Sequence, residues 1–229
     1  CAVSRRFPVP ALAAGELRIA GERTAVAAQA DEIPAGVLDD GDADRIGAID
    51  ERGEILWGDR LMIVYARDIL TQRPGTTFIS EVKASQCLYD DIAAKGGRPI
   101  MWKTGHSLMK AKLKAESAVL AGEMSGHMFF ADRYFGFDDA IYASCRLVEI
   151  LAKTKRSLSS LVADLPQTTV TPEIRVDCPD TLKFQLVDQV RTQLAAYLAE
   201  GQPVGASNLR MRELVTIDGV RAIFEDGWG

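Results

Sequence analysis

A chain of 229 residues, 47% hydrophobic and 26% charged, is long enough to bury a real core in one large domain or two small ones. A net charge of −5 and an isoelectric point near 5.2 exclude the global basic field that draws a protein to nucleic acid or an anionic membrane, so a phosphate ligand has to be held by local groups. The four cysteines form no CxxC pair, two histidines supply a Cys/His zinc site poorly, and no run approaches the ~18 apolar residues of a membrane span, which points to a cytoplasmic protein with reduced thiols.

Residues 1–36 are rich in Ala, Arg and Gly without a sustained apolar period, and only a short helix near Thr24 to Asp31 is expected there. From Gly36 the pattern sharpens. "GVL" leads into the acidic stretch "DGDADR", "RIGAID" alternates as a strand, "ERGE" turns and "ILWG" extends again, so the acids lie between strands. "GDRLMIVYARDILTQRPG", with Leu61, Ile63, Val64, Ala66 and Leu70 and a terminal Pro-Gly, predicts a helix. "TTFISEVKA" reads as a strand, "SQCLYDDIAAKGG" as a helix capped by Ser85, "RPIMWKTGH" as a strand running into a Gly turn, and "SLMKAKLKAES" as a helix. "AVLAGEMSGHMFF" predicts a strand entering a loop, and "GFDDAIYASCRLVEILAKTK" a helix with Ile141, Cys145, Val148 and Leu151 on one stripe. Strands and helices alternating at this spacing over about 55–165 make an α/β domain.

After a Pro-containing linker around Pro166 to Pro172 the texture changes. "EIRVDC" predicts a strand, "DTLKFQLVDQVRTQLAAYLAEGQ" an amphipathic helix capped by Asp180 or Thr181, and "ELVTIDGVRAIF" a hairpin turning at Asp218-Gly219. This second unit is α+β and short of at least one further element, since one helix and one hairpin bury little.

Four stretches carry chemistry. In an extended or looped chain alternate residues project to one side, so Asp40, Asp42 and Asp44 can converge three carboxylates on a point, a concentration of charge that a hard divalent cation relieves. Mg²⁺ fits phosphoryl chemistry there, with Arg45 complementing a phosphate oxygen. The same residues also make a good polar turn. As an EF-hand loop running from Asp40 to Glu51, the stretch has Arg45 where Gly is required and strands where helices should flank it. "KTGHS", from Lys103 to Ser107, offers backbone N–H groups at a helix start, or is simply a capped loop. In "GEMSGH", Glu123 and Ser125 alternate to one side as an acceptor beside a hydroxyl, suited to sugar hydroxyls or to a plain polar loop. Lys83 ends a strand, where an ammonium reaches a crevice or solvent. Both histidines, His106 and His127, fall in these loops, which favours a site over core packing.

In this order the stretches resemble the α-D-phosphohexomutases, and within them the bacterial phosphomannomutase/phosphoglucomutase group. "DGDADRIGAID" is similar to the family's metal loop, and "KTGHSLMK" and "GEMSGHMFFADR" to its third-domain loops, with Met124 as in the mannose/glucose-type enzymes. The resemblance runs from about Val37 onward. It implies a mixed-sheet α/β third domain over 59–165, preceded by the end of a second domain with the metal loop over 37–58 and followed by the first part of an α+β fourth domain over 170–229, with 1–36 a poorly defined segment. It implies transfer of a phosphoryl group between C1 and C6 of a mannose or glucose phosphate, through a phosphorylated serine and a bisphosphorylated hexose. Asp40, Asp42 and Asp44 would bind Mg²⁺, Arg45 and His127 would be catalytic, and Lys83, His106, Glu123, Ser125 and His127 would contact the sugar phosphate. The family's serine loop, T-A-S-H-N-P, and its fourth-domain phosphate loop, R-x-S-N-T-x-P, do not occur in the 229 residues. The chain is therefore expected to be a piece of a longer enzyme and inactive alone. A non-catalytic Mg²⁺- or sugar-phosphate-binding module is the other reading of the same loops.

Overall fold

A computed structural model describes residues 25–27, 36–168, 174, 176–204, 209–225 and 227–229. The first strands, β1 (Ala25–Ala27), β2 (Gly36–Asp39), β3 (Ile46–Ile49) and β4 (Ile55–Leu56), form an antiparallel sheet in chain order. The helix expected near Thr24 to Asp31 is not what forms over Ala25–Ala27: Val26 pairs with Val37 as a strand. The open hydrogen-bonding edge of β2 overrides the helical preference of an Ala-rich stretch. Thr24 and Asp31 themselves lie outside the described residues.

Next come α1 (Gly58–Gln72), β5 (Thr77–Glu81), α2 (Gln86–Ala94), β6 (Arg98–Trp102), α3 (His106–Ala115), β7 (Leu120–Gly122), β8 (Met128–Phe130), α4 (Ala140–Thr154) and the short α5 (Leu158–Leu161). The sheet runs β6-β5-β7-β8, with β5, β6 and β7 parallel and β8 antiparallel to β7. Alternation of side chains splits the core. Phe78, Leu120 and Phe130 face α1, α2 and α4 on one side, while Ile79, Ala121 and Phe129 face Met109 and Leu113 of α3 on the other. The strand over "AVLA" enters a loop after Gly122 as expected, and beyond it the chain returns as β8, because three consecutive buried residues, Met128 to Phe130, complete both core layers.

Helix α4 forms where expected but presents another face. Ala143, Leu147, Ile150 and Leu151 are buried, whereas Ile141, Cys145 and Val148 of the anticipated stripe point to solvent. Its rotation is fixed by the Asp139 cap, which accepts from Tyr142 N, and by the Ala140 N–H bonded to Ala43 O at 2.9 Å. Its inward face also carries Ser144 on Asp39 and Arg146 on Asp132, and these polar residues hide the buried side from a hydropathy reading.

The last unit comprises α6 (Lys183–Glu200) and the hairpin β9 (Met211–Val215) and β10 (Arg221–Phe224), which turns at Asp218-Gly219 as expected. Among the described residues of "EIRVDC" there is no strand; Ile174 and Val176 lie 82% and 79% exposed, with no neighbouring strand to take their backbone groups. Nor does Asp180 or Thr181 cap α6, which starts after Leu182 without a side-chain cap, while Asp180 pairs with Lys183 Nζ at 2.9 Å. No residue of α6 is buried, so its apolar residues Phe184, Val187 and Val190 are open. The unit meets the α/β domain at Asp218, which accepts from Thr104 N, and at Arg221, buried and donating to Val82 O, Ala84 O and Gln86 Oε1. Among the described residues no helix is long and apolar enough to cross a membrane.

Candidate active site

The acidic stretch is the turn between β2 and β3, and its shape is set by Asp40. Oδ1 of Asp40 accepts from the N–H groups of Asp44 at 3.2 Å and Arg45 at 3.1 Å, and the turn closes on itself with Ala43 N bonded to Asp40 O at 3.0 Å. This brings oxygens of Asp40, Asp42 and Asp44 within 4.8 Å of one another. Burial raises the Asp44 carboxyl above its ordinary value, opposed by His127 and reinforced by the charges of Asp40 and Asp42. Asp44 Oδ1 is a buried oxygen without a hydrogen-bond partner. Three converging carboxylates, one with a buried oxygen that makes no hydrogen bond, fit a hard divalent cation that takes oxygen ligands. The EF-hand reading fails, because strands flank the loop and Glu51 turns its carboxylate to Ser159.

The other loops leave the carboxyl ends of the parallel strands, where an open α/β sheet forms its crevice. Glu81, at the end of β5, is fully buried: Oε1 accepts from Met124 N at 2.7 Å and Oε2 from the Thr104 hydroxyl at 2.6 Å, with Lys83 Nζ 3.5 Å away. Glu123, also buried, accepts from Gly105 N at 3.0 Å through Oε1 and from the Ser125 hydroxyl at 3.2 Å through Oε2. Two carboxylates thus clamp "KTGHS" to "GEMSGH". Asp218 in the last hairpin reaches the same place, its Oδ2 accepting from Thr104 N at 3.0 Å.

The loop of Glu123 is joined to the acidic turn by the chain itself. Ile46 N donates to Gly126 O at 3.1 Å, and a Cβ on Gly126, whose φ is +99°, would lie 2.4 Å from Ile46 O. Gly58 at the start of α1 is equally constrained, since a Cβ there would come 2.3 Å from Glu123 O. Only glycine allows these backbones so close.

At this seam Arg45 Nε donates to His127 Nε2 at 3.0 Å, which leaves the ring proton of a neutral imidazole on Nδ1. That nitrogen faces Asp138 Oδ2 at 3.2 Å, near enough for attraction but outside the angle of a hydrogen bond. Burial works against the charge on Asp138, but Lys110, bonded to it at 3.0 Å, together with a backbone hydrogen bond and His127, holds the carboxyl below its usual range. Phe129 stacks on the His127 ring, and the His106 ring centroid is 6.4 Å from it.

The structure therefore brings together all the residues singled out from the sequence, in two layers. Lys83, His106, Ser125 and Arg45 are exposed, Asp40, Asp42 and Asp44 line the turn, and Glu123 and His127 are buried beneath. Sequence reasoning missed Glu81, Asp138, Lys110 and Asp218. Glu81 had a readable signal, a carboxylate closing the otherwise uncharged strand "TFISE"; the others are placed by contacts across the fold.

Residues 57–169 match the family described as phosphoglucomutase/phosphomannomutase, α/β/α domain III. A phosphomannomutase/phosphoglucomutase of Pseudomonas putida is 44% identical over 194 residues, covering 85% of this chain and 39% of the relative. A phosphoglucomutase of Neisseria gonorrhoeae is 42% identical over 194 residues, 85% of this chain and 40% of the relative. The crystal structure of a phosphoglucomutase/phosphomannomutase family protein from Burkholderia thailandensis superposes with a TM-score of 0.72 at 41% identity, over 85% of this chain and 38% of that one. The chain spans about two fifths of the length of the curated relatives it matches.

Proposed function

We propose, from the premise that this chain belongs to the phosphoglucomutase/phosphomannomutase family and carries its α/β/α domain III, that it supplies the metal-binding and sugar-reading parts of a cytoplasmic α-D-phosphohexomutase. Such an enzyme moves a phosphoryl group between C1 and C6 of mannose or glucose phosphate, through a phosphoserine and a bisphosphorylated hexose. Residues 37–58 would end a second domain, 59–165 form the third, and 170–229 begin a fourth. The reading rests on one observation: Glu81, Glu123 and the Arg45–His127 contact bind together loops that are far apart in sequence and that between them carry carboxylate, hydroxyl, imidazole and guanidinium groups suited to sugar hydroxyls and a phosphoryl group.

Asp40, Asp42 and Asp44 would hold Mg²⁺, which when bound neutralises charge on phosphoryl oxygens. Phosphoryl transfer needs mainly positioning and charge neutralisation, and the chain's own residues divide that work. Arg45 offers its exposed guanidinium to the phosphoryl group, and His127 fixes its direction by accepting from Nε. Lys83 and His106 stand at the rim as donors to substrate oxygens. Glu123 spends two of its roughly four lone-pair sites on Gly105 and Ser125, so it can still accept from a sugar hydroxyl, beside the Ser125 hydroxyl.

The test is calorimetric titration of the chain, with Mg²⁺, by mannose 1-phosphate and glucose 1-phosphate. Binding should weaken by about tenfold or more, the value of one charge-assisted contact, in Arg45→Ala and in Glu123→Ala. Absence of binding, or binding indifferent to both changes, would sink the reading. With no T-A-S-H-N-P loop present, binding without turnover is expected; conversion of mannose 6-phosphate to mannose 1-phosphate by this chain contradicts the assignment of its loops.

A further inference from the structure

Asp44 belongs to two clusters. Its oxygens lie within 4.8 Å of those of Asp40 and Asp42, and within the same span of ligand atoms on His127 and Asp138. We infer that Asp44, His127 and Asp138 form a second cation site, suited to a divalent transition metal of the zinc type, that overlaps the acidic turn at Asp44 and withdraws His127 from Arg45 when filled.

The spacing is right for such an ion. Nδ1 of His127 is 3.2 Å from Asp138 Oδ2 and 3.8 Å from Asp44 Oδ2, and two ligand atoms each ~2.1 Å from a tetrahedral ion stand about 3.4 Å apart. The nitrogen also points at these carboxylates without making a hydrogen bond to either. The His127 side chain is 8% exposed, and neither its Nδ1 nor Asp44 Oδ1 has a hydrogen-bond partner. Phe129 stacked on the ring and the backbone bridge between Arg45 and His127 hold the imidazole in place. Lys110 engages Asp138 through Oδ1 and leaves Oδ2 facing the cluster. Four carboxylates, on Asp40, Asp42, Asp44 and Asp138, surround it against two cations, Arg45 and Lys110, so the local charge attracts a metal. One nitrogen with two carboxylates is a ligand set for zinc rather than for magnesium, which takes oxygen.

Filling the site has a defined consequence. A metal on Nδ1 needs that nitrogen unprotonated, so the single proton of the neutral ring sits on Nε2, and Nε2 can no longer accept from Arg45 Nε. The ion also takes Asp44 away from Asp40 and Asp42. Zinc would therefore oppose both the magnesium turn and the orientation of Arg45; that this inhibits phosphoryl transfer rests on the function proposed above, whereas the site itself does not.

With His106 and His127 the only histidines, the imidazole signals of the intact chain report on the site directly. Zn²⁺ titrated in excess Mg²⁺ should convert the His127 ring to its Nε2–H form, seen in ¹H–¹⁵N spectra, and leave His106 unchanged. By calorimetry His127→Gln and Asp138→Asn should each weaken Zn²⁺ binding by about tenfold or more, while Asp42→Asn weakens Mg²⁺ and leaves Zn²⁺ nearly unchanged. An unchanged His127 tautomer at saturating Zn²⁺, or Zn²⁺ binding that Asp42→Asn weakens as much as His127→Gln does, overturns the inference. Binding of mannose 1-phosphate with Mg²⁺ and no Zn²⁺ is read separately, so failure there counts against the phosphohexomutase reading and not against this site.

Discussion

Replacing Glu81 with Leu removes the clamp beneath the crevice while keeping nearly the same volume. Glu81 exposes no surface and holds Met124 N and the Thr104 hydroxyl at 2.7 and 2.6 Å. Hydrogen bonds to a charged acceptor contribute about 1.5–3 kcal/mol each, so the pair is worth about 3–6 kcal/mol. Part of this is offset, since the leucine needs no desolvation of a carboxylate and the half-buried Thr104 hydroxyl can turn toward water. What remains is chiefly the Met124 N–H left without an acceptor, a loss of about 1–3 kcal/mol. Glu81→Gln keeps one oxygen for Met124 N and turns its amide toward Thr104 Oγ, which can accept, so about 1 kcal/mol is expected. Urea unfolding gives the stabilities, and hydrogen exchange at the Met124 amide reports the clamp itself. A Leu variant that unfolds at the parent's urea midpoint with Met124 still protected refutes the reasoning.

Three further outcomes are expected. Gly126→Ala forces a side chain onto a φ of +99° and a Cβ to 2.4 Å from Ile46 O, so a loss of about 2 kcal/mol or more should appear in thermal unfolding; an unchanged Tm would show that the seam relaxes freely. The Arg133 hydrogen bonds and Lys153 hold the Glu149 carboxyl down to about 2 in the fold, below its ordinary 4.5. Its stabilisation is therefore complete above the ordinary value and is lost as pH falls from about 4.5 toward 2, by under about 1 kcal/mol for so open a group. Glu149→Gln should flatten that acid limb in urea titrations at stepped pH, and equal acid loss in both proteins would contradict it. Arg221→Ala should raise hydrogen exchange across β9 and β10 while leaving β5, β7 and α1 protected, because Arg221 is what ties the hairpin to Val82 and Ala84; unchanged exchange in the hairpin, or loss of protection everywhere, would refute this.

The sequence by itself determined the local elements and the chemistry. The 3.6-residue apolar period of α1, the Ser85 cap, the short buried strand of β5 and the Asp218-Gly219 turn are all decided by neighbours in the chain, and so is the shape of the acidic turn, where Asp40 binds its own loop. The types of residue in "KTGHS" and "GEMSGH" declared their donors and acceptors without coordinates. Only the tertiary structure decided which face of α4 is buried, because that rotation depends on Ala140 reaching Ala43 and on Ser144 and Arg146 finding partners in Asp39 and Asp132. It alone turned Ala25–Ala27 into a strand, by supplying the edge of β2. It also paired Arg45 with His127, 82 residues away, set Glu81 beneath the loops it holds, and brought Asp138 to 3.2 Å from His127. Such contacts join groups distant in sequence, and their energies arise only once the sheet and both helix layers have closed around them.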